Sequence, residues 1–446
     1  MSNIEGALDK TLRARLQAEY EKDRVNKVVR HALARDSVSH AVYDPSAQIG
    51  TNLAFSNEVK TMPVTNQRSS GRCWIFAGIN VLREIVGKKL NIPGSFELSQ
   101  NYISLFDKIE KANFALESVI SLSQYSPNER VFQFVLDNPV SDGGQWDMFV
   151  NLVKKYGLMP KDCFPETYQS NNTRETNFMV NAIIRQFAFK AHELSAKGKK
   201  SDIRPLKEET LESIYRLFFD AFGVPPEKFE FEYVDAKDKF HKETHTPKSF
   251  FDKYIGKEID EYQSLINSPT ADKPFLRNFT IDYLGNVLEG KPINHLNVEM
   301  KDMKEAIVKQ LLAGEVVWFG SDVSFYRDRD YHAWDDKAFD YDSAFGFGID
   351  FDKGAMLDFR HSSMNHAMVI VGVDLEDGRP LKWKIENSWG ADVGSKGYFV
   401  MSDTWFDRFV YQAVVKTKYL TKEQVSAAKK VPVHLNPWDP MGTLAD

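Results

Sequence analysis

The sequence predicts an α+β protein. Two observations carry that expectation. Segments with apolar residues at helical spacing crowd into the chain before residue 278. Apolar, β-branched runs crowd in after it, the most apolar being 366–373. The two patterns are segregated rather than alternating, and no internal repeat links them.

The bounds agree with a large globular chain. Its 446 residues suffice for two or three domains' worth of core, or for one elaborated domain. With 42% hydrophobic and 27% charged residues the composition is ordinary, and a net charge of −6 leaves no electrostatic footprint for nucleic acid. The only cysteines, Cys73 and Cys163, exclude a disulfide framework. Residues 1–22 have no apolar signal-peptide core, and no run of 18 apolar residues occurs. A reducing, cytoplasmic location with no membrane partner is therefore expected.

In chain order, residues 7–35 read as one or two packing helices: Leu8, Leu12, Leu16 and Tyr20 recur every four residues, and Val25, Val28, Val29 and Ala32 continue the stripe. Asp44-Pro45 ends it, and 52–64 reads as extended. Next comes Gln67-Arg68-Ser69-Ser70-Gly71-Arg72-Cys73-Trp74, followed by an apolar run without helix punctuation. A buried helix starting near Cys73 puts its thiol at the positive end of the dipole, which favours a thiolate. The Gln67 amide and the Cys73 N–H are placed to hold an oxyanion.

Residues 95–160 read as mainly helical, with Ser99 capping a helix from 100. Gly143-Gly144 precedes a helix over 146–156. This pair reads as bare backbone against which an extended peptide could pair, or else as a plain turn. Cys163 has no neighbouring glutamine, glycine turn or helix start and reads as structural. From 166 to 295 the chain holds helices at 174–196, 207–222 and 247–266, with a strand pair at 229–241. His241 and His245 lie in that strand setting and read as surface histidines, so no metal or cofactor is expected.

A helix over 301–313 and a strand over 315–323 follow. Residues 326–354, rich in aspartate, fit no calcium-loop pattern and read as a solvated loop over a cleft. His366 opens the buried run, where a general base fits beside an activated cysteine. A strand ends at Asn387, whose carbonyl oxygen can orient an imidazole, and Trp389 can shield that bond from water.

Taken together, Gln67, Cys73-Trp74, His366 and Asn387-Ser388-Trp389-Gly390 resemble the papain-like cysteine proteases, in the same chain order. The Cys73–His366 separation is about twice the roughly 130–150 residues of papain relatives, and 166–295 accounts for the excess. That insertion, the missing disulfide cysteine and the tail from Asn436 to Asp446 narrow the resemblance to the bleomycin hydrolase and aminopeptidase C branch.

The resemblance implies a papain-like fold, with a helical half, an antiparallel β-barrel half, a large helical insertion and terminal extensions. The expected domains are an N-terminal helical hook (1–60), the half carrying Cys73 (61–165), the insertion (166–295), the half carrying His366 and Asn387 (296–430), and an arm in the cleft (431–446). It further implies a homohexamer whose sites face an internal channel. Only 72 residues precede Cys73, so the cage rather than a longer leader is expected to restrict access.

The implied activity is release of N-terminal residues from peptides with a free N-terminus, and from bleomycin-like amides. Cys73 is the nucleophile, His366 the acid and base, Asn387 the orienter and Gln67 an oxyanion donor; Gly143 and Gly144 carry substrate backbone, and Trp74 and Trp389 support them. The tail through Ala445 or Asp446 is expected to present a carboxylate to the substrate ammonium, with the group that meets it left open. The alternatives are an endopeptidase on the same scaffold, a nucleic-acid-binding hexamer, or a scaffold without activity.

Overall fold

In a computed structural model, residues 6–47, 50, 52–327, 332–349 and 351–445 are described. The fold is built around the Cys73–Leu90 helix, in which every residue from 73 to 83 is buried. A stretch of helix buried on every face must be enclosed on every side. One flank meets the His366–Glu376 strand, and the other meets the Gln100–Leu122 and Trp146–Tyr156 helices. Asn91, left-handed at φ 52°, ends it.

Helices make the other layer. Ser99 accepts the Tyr102 N–H and so caps Gln100–Leu122, and Arg174–Ala196 and Ile203–Phe222 pack against that helix. Opposite lies one mixed sheet, eleven strands among the described residues. Its order is Val433–Leu435, Arg277–Ile281, His295–Asn297, Tyr262–Ile266, Val410–Lys416, Val317–Ser321, His366–Glu376, Arg379–Glu386, Tyr398–Ser402 and Ala333–Trp334. Asn57–Glu58 adds to the His366–Glu376 strand. The α+β class is therefore as expected. One apolar core lies between this sheet and the helices; a second fills the far side with Met303, Ile307, Trp383, Trp405 and Phe406.

Several local expectations differ. The helix expected over 247–266 stops at Tyr254, and Tyr262–Ile266 is a strand between Val410–Lys416 and His295–Asn297. Cross-strand partners and the burial of Leu265 and Ile266 outweigh local helical spacing. Together with Arg277–Ile281 and His295–Asn297, this strand shows that the central sheet draws on residues inside the 166–295 block. The N-terminal helices Lys10–Lys22 and Arg24–Leu33 form, but no residue of either is buried.

The 326–354 segment is not an open loop where it is described. Trp334 packs on Trp405, Tyr326 packs on Phe409, and Asp336 pairs with Arg408 at 3.2 Å. Asp328, Asp330 and Asp350 lie outside the described residues. The strand pair Phe229–Val234 and Phe240–His245 forms an antiparallel hairpin, where His241 meets Asp235 and His245 meets Glu243. Among the described residues, no helix is long and apolar enough to cross a membrane.

Candidate active site

Cys73 is the first residue of its helix and is almost wholly buried. The approach is fixed by Arg72, itself buried, which donates to Ser70 Oγ at 2.9 Å and pairs with Glu166 at 3.0 Å. The thiol accepts the Ala367 N–H at 3.4 Å, which seats the sulfur beside His366. The expectation of a depressed thiol pKa needs correction. Burial pushes Cys73 up to about 11, against the smaller lowering by the Ala367 and Trp74 N–H groups. The helix terminus is present, but loss of water around the sulfur outweighs it.

His366 starts its strand, opposite Ser321 of the neighbouring one. Its Nε2 lies 2.9 Å from Asn387 Oδ1, and its ring stacks on Trp389 at 5.0 Å and 28°. Burial lowers the imidazolium to about 4, partly offset by the Asn387 bond. With Nε2 engaged, Nδ1 is the nitrogen left for the sulfur. Asn387 is held where the Arg379–Glu386 strand ends, its Oδ1 also accepting the Ser388 N–H at 2.8 Å.

Gln67 is tied to the same turn. Its N–H donates to Ser388 O at 2.8 Å, its Oε1 accepts from Ser388 Oγ at 2.6 Å, and its Nε2 donates to Ser70 O at 2.6 Å. An amide nitrogen carries two hydrogens, so one remains for an oxyanion. The structure thus gathers Gln67, Cys73, His366 and Asn387 from widely separated positions. The first three border one cavity of about 380 Å3, which Asp142 and Gly143 also line.

The paired glycines have different jobs. A Cβ on Gly144 would stand 2.5 Å from the Trp74 ring, and one on Gly143 would stand 2.3 Å from Leu444 O. Gly144 therefore lets the indole pack beneath, while Gly143 lets another stretch of backbone approach closely on top. Trp74 also donates to Asp142 O at 2.7 Å. The occupying backbone is the chain's own tail: Gly144 N–H donates to Leu444 O at 3.0 Å, and Ser141 Oγ to Ala445 O.

Thr443 and Leu444 border the cavity with Cys73 and His366; Ala445 instead lines an adjoining pocket with Phe114, Phe134 and Leu284. Asp446 lies outside the described residues. The arm is anchored further back. Arg130 lies 3.7 Å over the Trp438 ring, Arg360 donates to Trp438 O at 3.0 Å, and Asp439 pairs with buried Lys273 at 2.9 Å.

Sequence reasoning missed the support under this edge. Lys108, buried, donates to Ser141 O at 2.7 Å and pairs with Asp142 at 2.6 Å. Burial opposes ionisation of Asp142, but Lys108, Thr173 and Asn177 hold its carboxyl well below the usual range. Lys111 is buried as well, donating to Gly143 O and pairing with Asp107 at 2.9 Å. Nothing in the sequence distinguishes these lysines from the many solvated ones; helical spacing put them on one face, but only the fold shows that face is covered. Cys163 is half-buried, its thiol directed at Glu230 O far from this cavity. Among the described residues, no cluster of three or more His, Cys, Asp or Glu could hold a metal ion.

Comparison with known proteins locates this arrangement. Residues 7–442 match the model of the Peptidase C1-like family. Aminopeptidase C of Lactobacillus delbrueckii subsp. lactis is 44% identical over 423 residues, covering 94% of each chain. Aminopeptidase C of Listeria monocytogenes is 42% identical over 419 residues, again 94% of each. The crystal structure of PepW from Lactobacillus rhamnosis HN001 superposes with a TM-score of 0.95 at 40% identity, covering 98% of this chain and 99% of that one.

Proposed function

This chain belongs to the Peptidase C1-like family and is a cysteine peptidase of papain-like fold, and on that premise we propose that it is an aminopeptidase working through Cys73, His366 and Asn387. One observation carries the exopeptidase reading: Leu444 lies in the cleft, bonded through its carbonyl to Gly144. A substrate sharing that cleft has little room on its N-terminal side, so cleavage falls close to its free N-terminus.

In the proposed reaction, His366 takes the Cys73 proton and the sulfur attacks the scissile carbonyl. The Cys73 N–H and the uncommitted Gln67 hydrogen stabilise the oxyanion. His366 then protonates the leaving amine, and later activates the water that hydrolyses the thioester. Asn387 keeps the imidazole turned so that Nδ1 meets the sulfur, and Trp389 covers that bond. While the arm covers the cleft, burial favours the neutral thiol and imidazole. Charge separation then follows substrate entry, when opposite charges face each other.

Two further elements belong to the proposal. Both cysteines are free, which suits a reducing, cytoplasmic setting. The exposed Leu16, Val25 and Val28 on the N-terminal helices suit burial against other copies, as a homohexamer requires.

The test compares aminoacyl amides with N-blocked peptides, for the intact protein and for a form lacking residues 443–446. The intact protein is expected to prefer free amines. The truncated form is expected to lose that preference and to cut internally. Unchanged preference would remove the arm from the mechanism, and faster cleavage of blocked peptides by the intact protein would make it an endopeptidase.

A further inference from the structure

Two turns along from Cys73, the same helix buries Asn80, and one turn further it buries Arg83. Asn80 Nδ2 donates to Glu386 Oε1 at 2.8 Å and to Thr65 Oγ1 at 3.1 Å. Arg83 Nη2 lies 3.1 Å from the same Glu386 Oε1, and Nη1 donates to Pro63 O at 3.0 Å. All three side chains are almost completely buried.

Glu386 immediately precedes Asn387, and residues 62–65 lead directly into Gln67. Glu386 is thus bonded to Asn80 and Arg83 of the helix that starts at Cys73, and through these two side chains the strand end that delivers Asn387 is linked to the segment that delivers Gln67. These three pieces come from distant parts of the sequence, yet their relative placement sets the site geometry. Apolar side chains of similar volume would pack as stably as such a buried ion pair, so stability alone does not call for the charge. A directional, fully bonded group fixes register where apolar packing permits sliding.

We propose that Glu386, held by Asn80 and Arg83, is a positioning residue that sets Asn387, and through it His366, against Cys73. This rests on Cys73 and His366 being the reacting pair. Several groups face Glu386: Arg83, Glu84 and Asn80 from the helix, Thr61 from the segment before it, and Tyr398 from the neighbouring strand. Lys384 lies 4.4 Å over the Tyr398 ring and is paired with Glu58. Glu84 shares the Arg83 guanidinium at 3.1 Å. Burial pushes Glu386 up to about 7 against the pull of Arg83, with Glu84 adding to the rise.

The test uses Glu386→Gln and Asn80→Ala in the full chain. Two quantities are read: kcat and KM per titratable Cys73, and the pH profile of Cys73 alkylation by iodoacetamide. Glu386→Gln is expected to lower kcat per site by about 10- to 100-fold with KM within about twofold. Its alkylation profile is expected to move by about half a pH unit or more. Asn80→Ala, which leaves the ion pair in place, is expected to move both in the same sense by less, and it decides the matter alone if Glu386→Gln does not fold.

Wild-type kcat per site together with a wild-type alkylation profile, in a variant that folds, would overturn the positioning role. If the wild-type protein loses no activity when Cys73 is alkylated, the reading of the reacting pair fails and takes this inference with it. Failure of the clamp alone leaves that wild-type inactivation intact.

Discussion

The Leu444 carbonyl accepts the Gly144 N–H at 3.0 Å, so the cleft carrying Cys73 is already paired with the protein's own backbone. Gly143 beside it makes that approach possible, because any side chain there would collide with the same carbonyl. Gly143→Ala is therefore expected to expel the arm without disturbing Trp74. Preference for free-amine substrates over blocked ones should fall, as measured by the ratio of their kcat/KM values. Gly144→Ala acts differently: its methyl meets the Trp74 ring, and overpacking of that kind costs about 1–3 kcal/mol in denaturant unfolding.

Asn387→Ala removes the acceptor for His366 Nε2 and leaves the ring free to turn. We expect kcat to fall with KM nearly unchanged. The loss should be smaller than the roughly 100- to 10,000-fold expected when the general base itself is removed in His366→Ala. Gln67→Ala is expected to cost about 100–1000-fold in kcat as an oxyanion donor. Steady-state kinetics on one aminoacyl amide checks all three.

Burial is the main cause of the raised Cys73 pKa, and Thr443 and Leu444 of the arm line the same cavity as the thiol. A form lacking residues 443–446 should let water reach the sulfur and lower its pKa. Alkylation of Cys73 at neutral pH is then expected to be faster in the truncated protein than in the intact one. Equal rates would mean that the arm does not desolvate the thiol.

Asp147 is half-buried at the start of the Trp146–Tyr156 helix, where it accepts the Asn294 N–H at 3.0 Å. Burial raises its carboxyl to about 6, against the lowering by Asn294 and Lys291. Between its ordinary value near 4 and 6, the unfolded chain loses this proton first. The group's contribution is therefore full at lower pH and is lost as pH rises through that window. Asp147→Asn keeps an acceptor and removes the titration, so its stability relative to wild type should rise with pH, by up to about 3 kcal/mol. Urea unfolding at pH 4 and pH 7 measures the difference.

The residues proposed to react could be picked out of the sequence because the proposed chemistry demands particular residue types in order. Gln67, Cys73 and His366 border one cavity, Asn387 is bonded to His366, and the helix at Cys73 and the strand at His366 form as their apolar patterns imply. What stayed hidden depends on what covers what. Tyr262–Ile266 looks helical until Val410–Lys416 pairs with it. Lys108 and Lys111 look solvated until residues 141–143 close over them. The thiol pKa was misjudged for the same reason: the helix terminus is visible in sequence, while burial of the sulfur is not.

The central claim is that Cys73 forms a covalent acyl intermediate. Quenching the enzyme in acid during turnover of an aminoacyl ester, followed by mass spectrometry of the intact chain and its peptides, tests it directly. The expected result is one aminoacyl mass added to the peptide holding Cys73, absent in Cys73→Ala together with all activity. An adduct on another residue, or undiminished turnover by Cys73→Ala, would contradict the account.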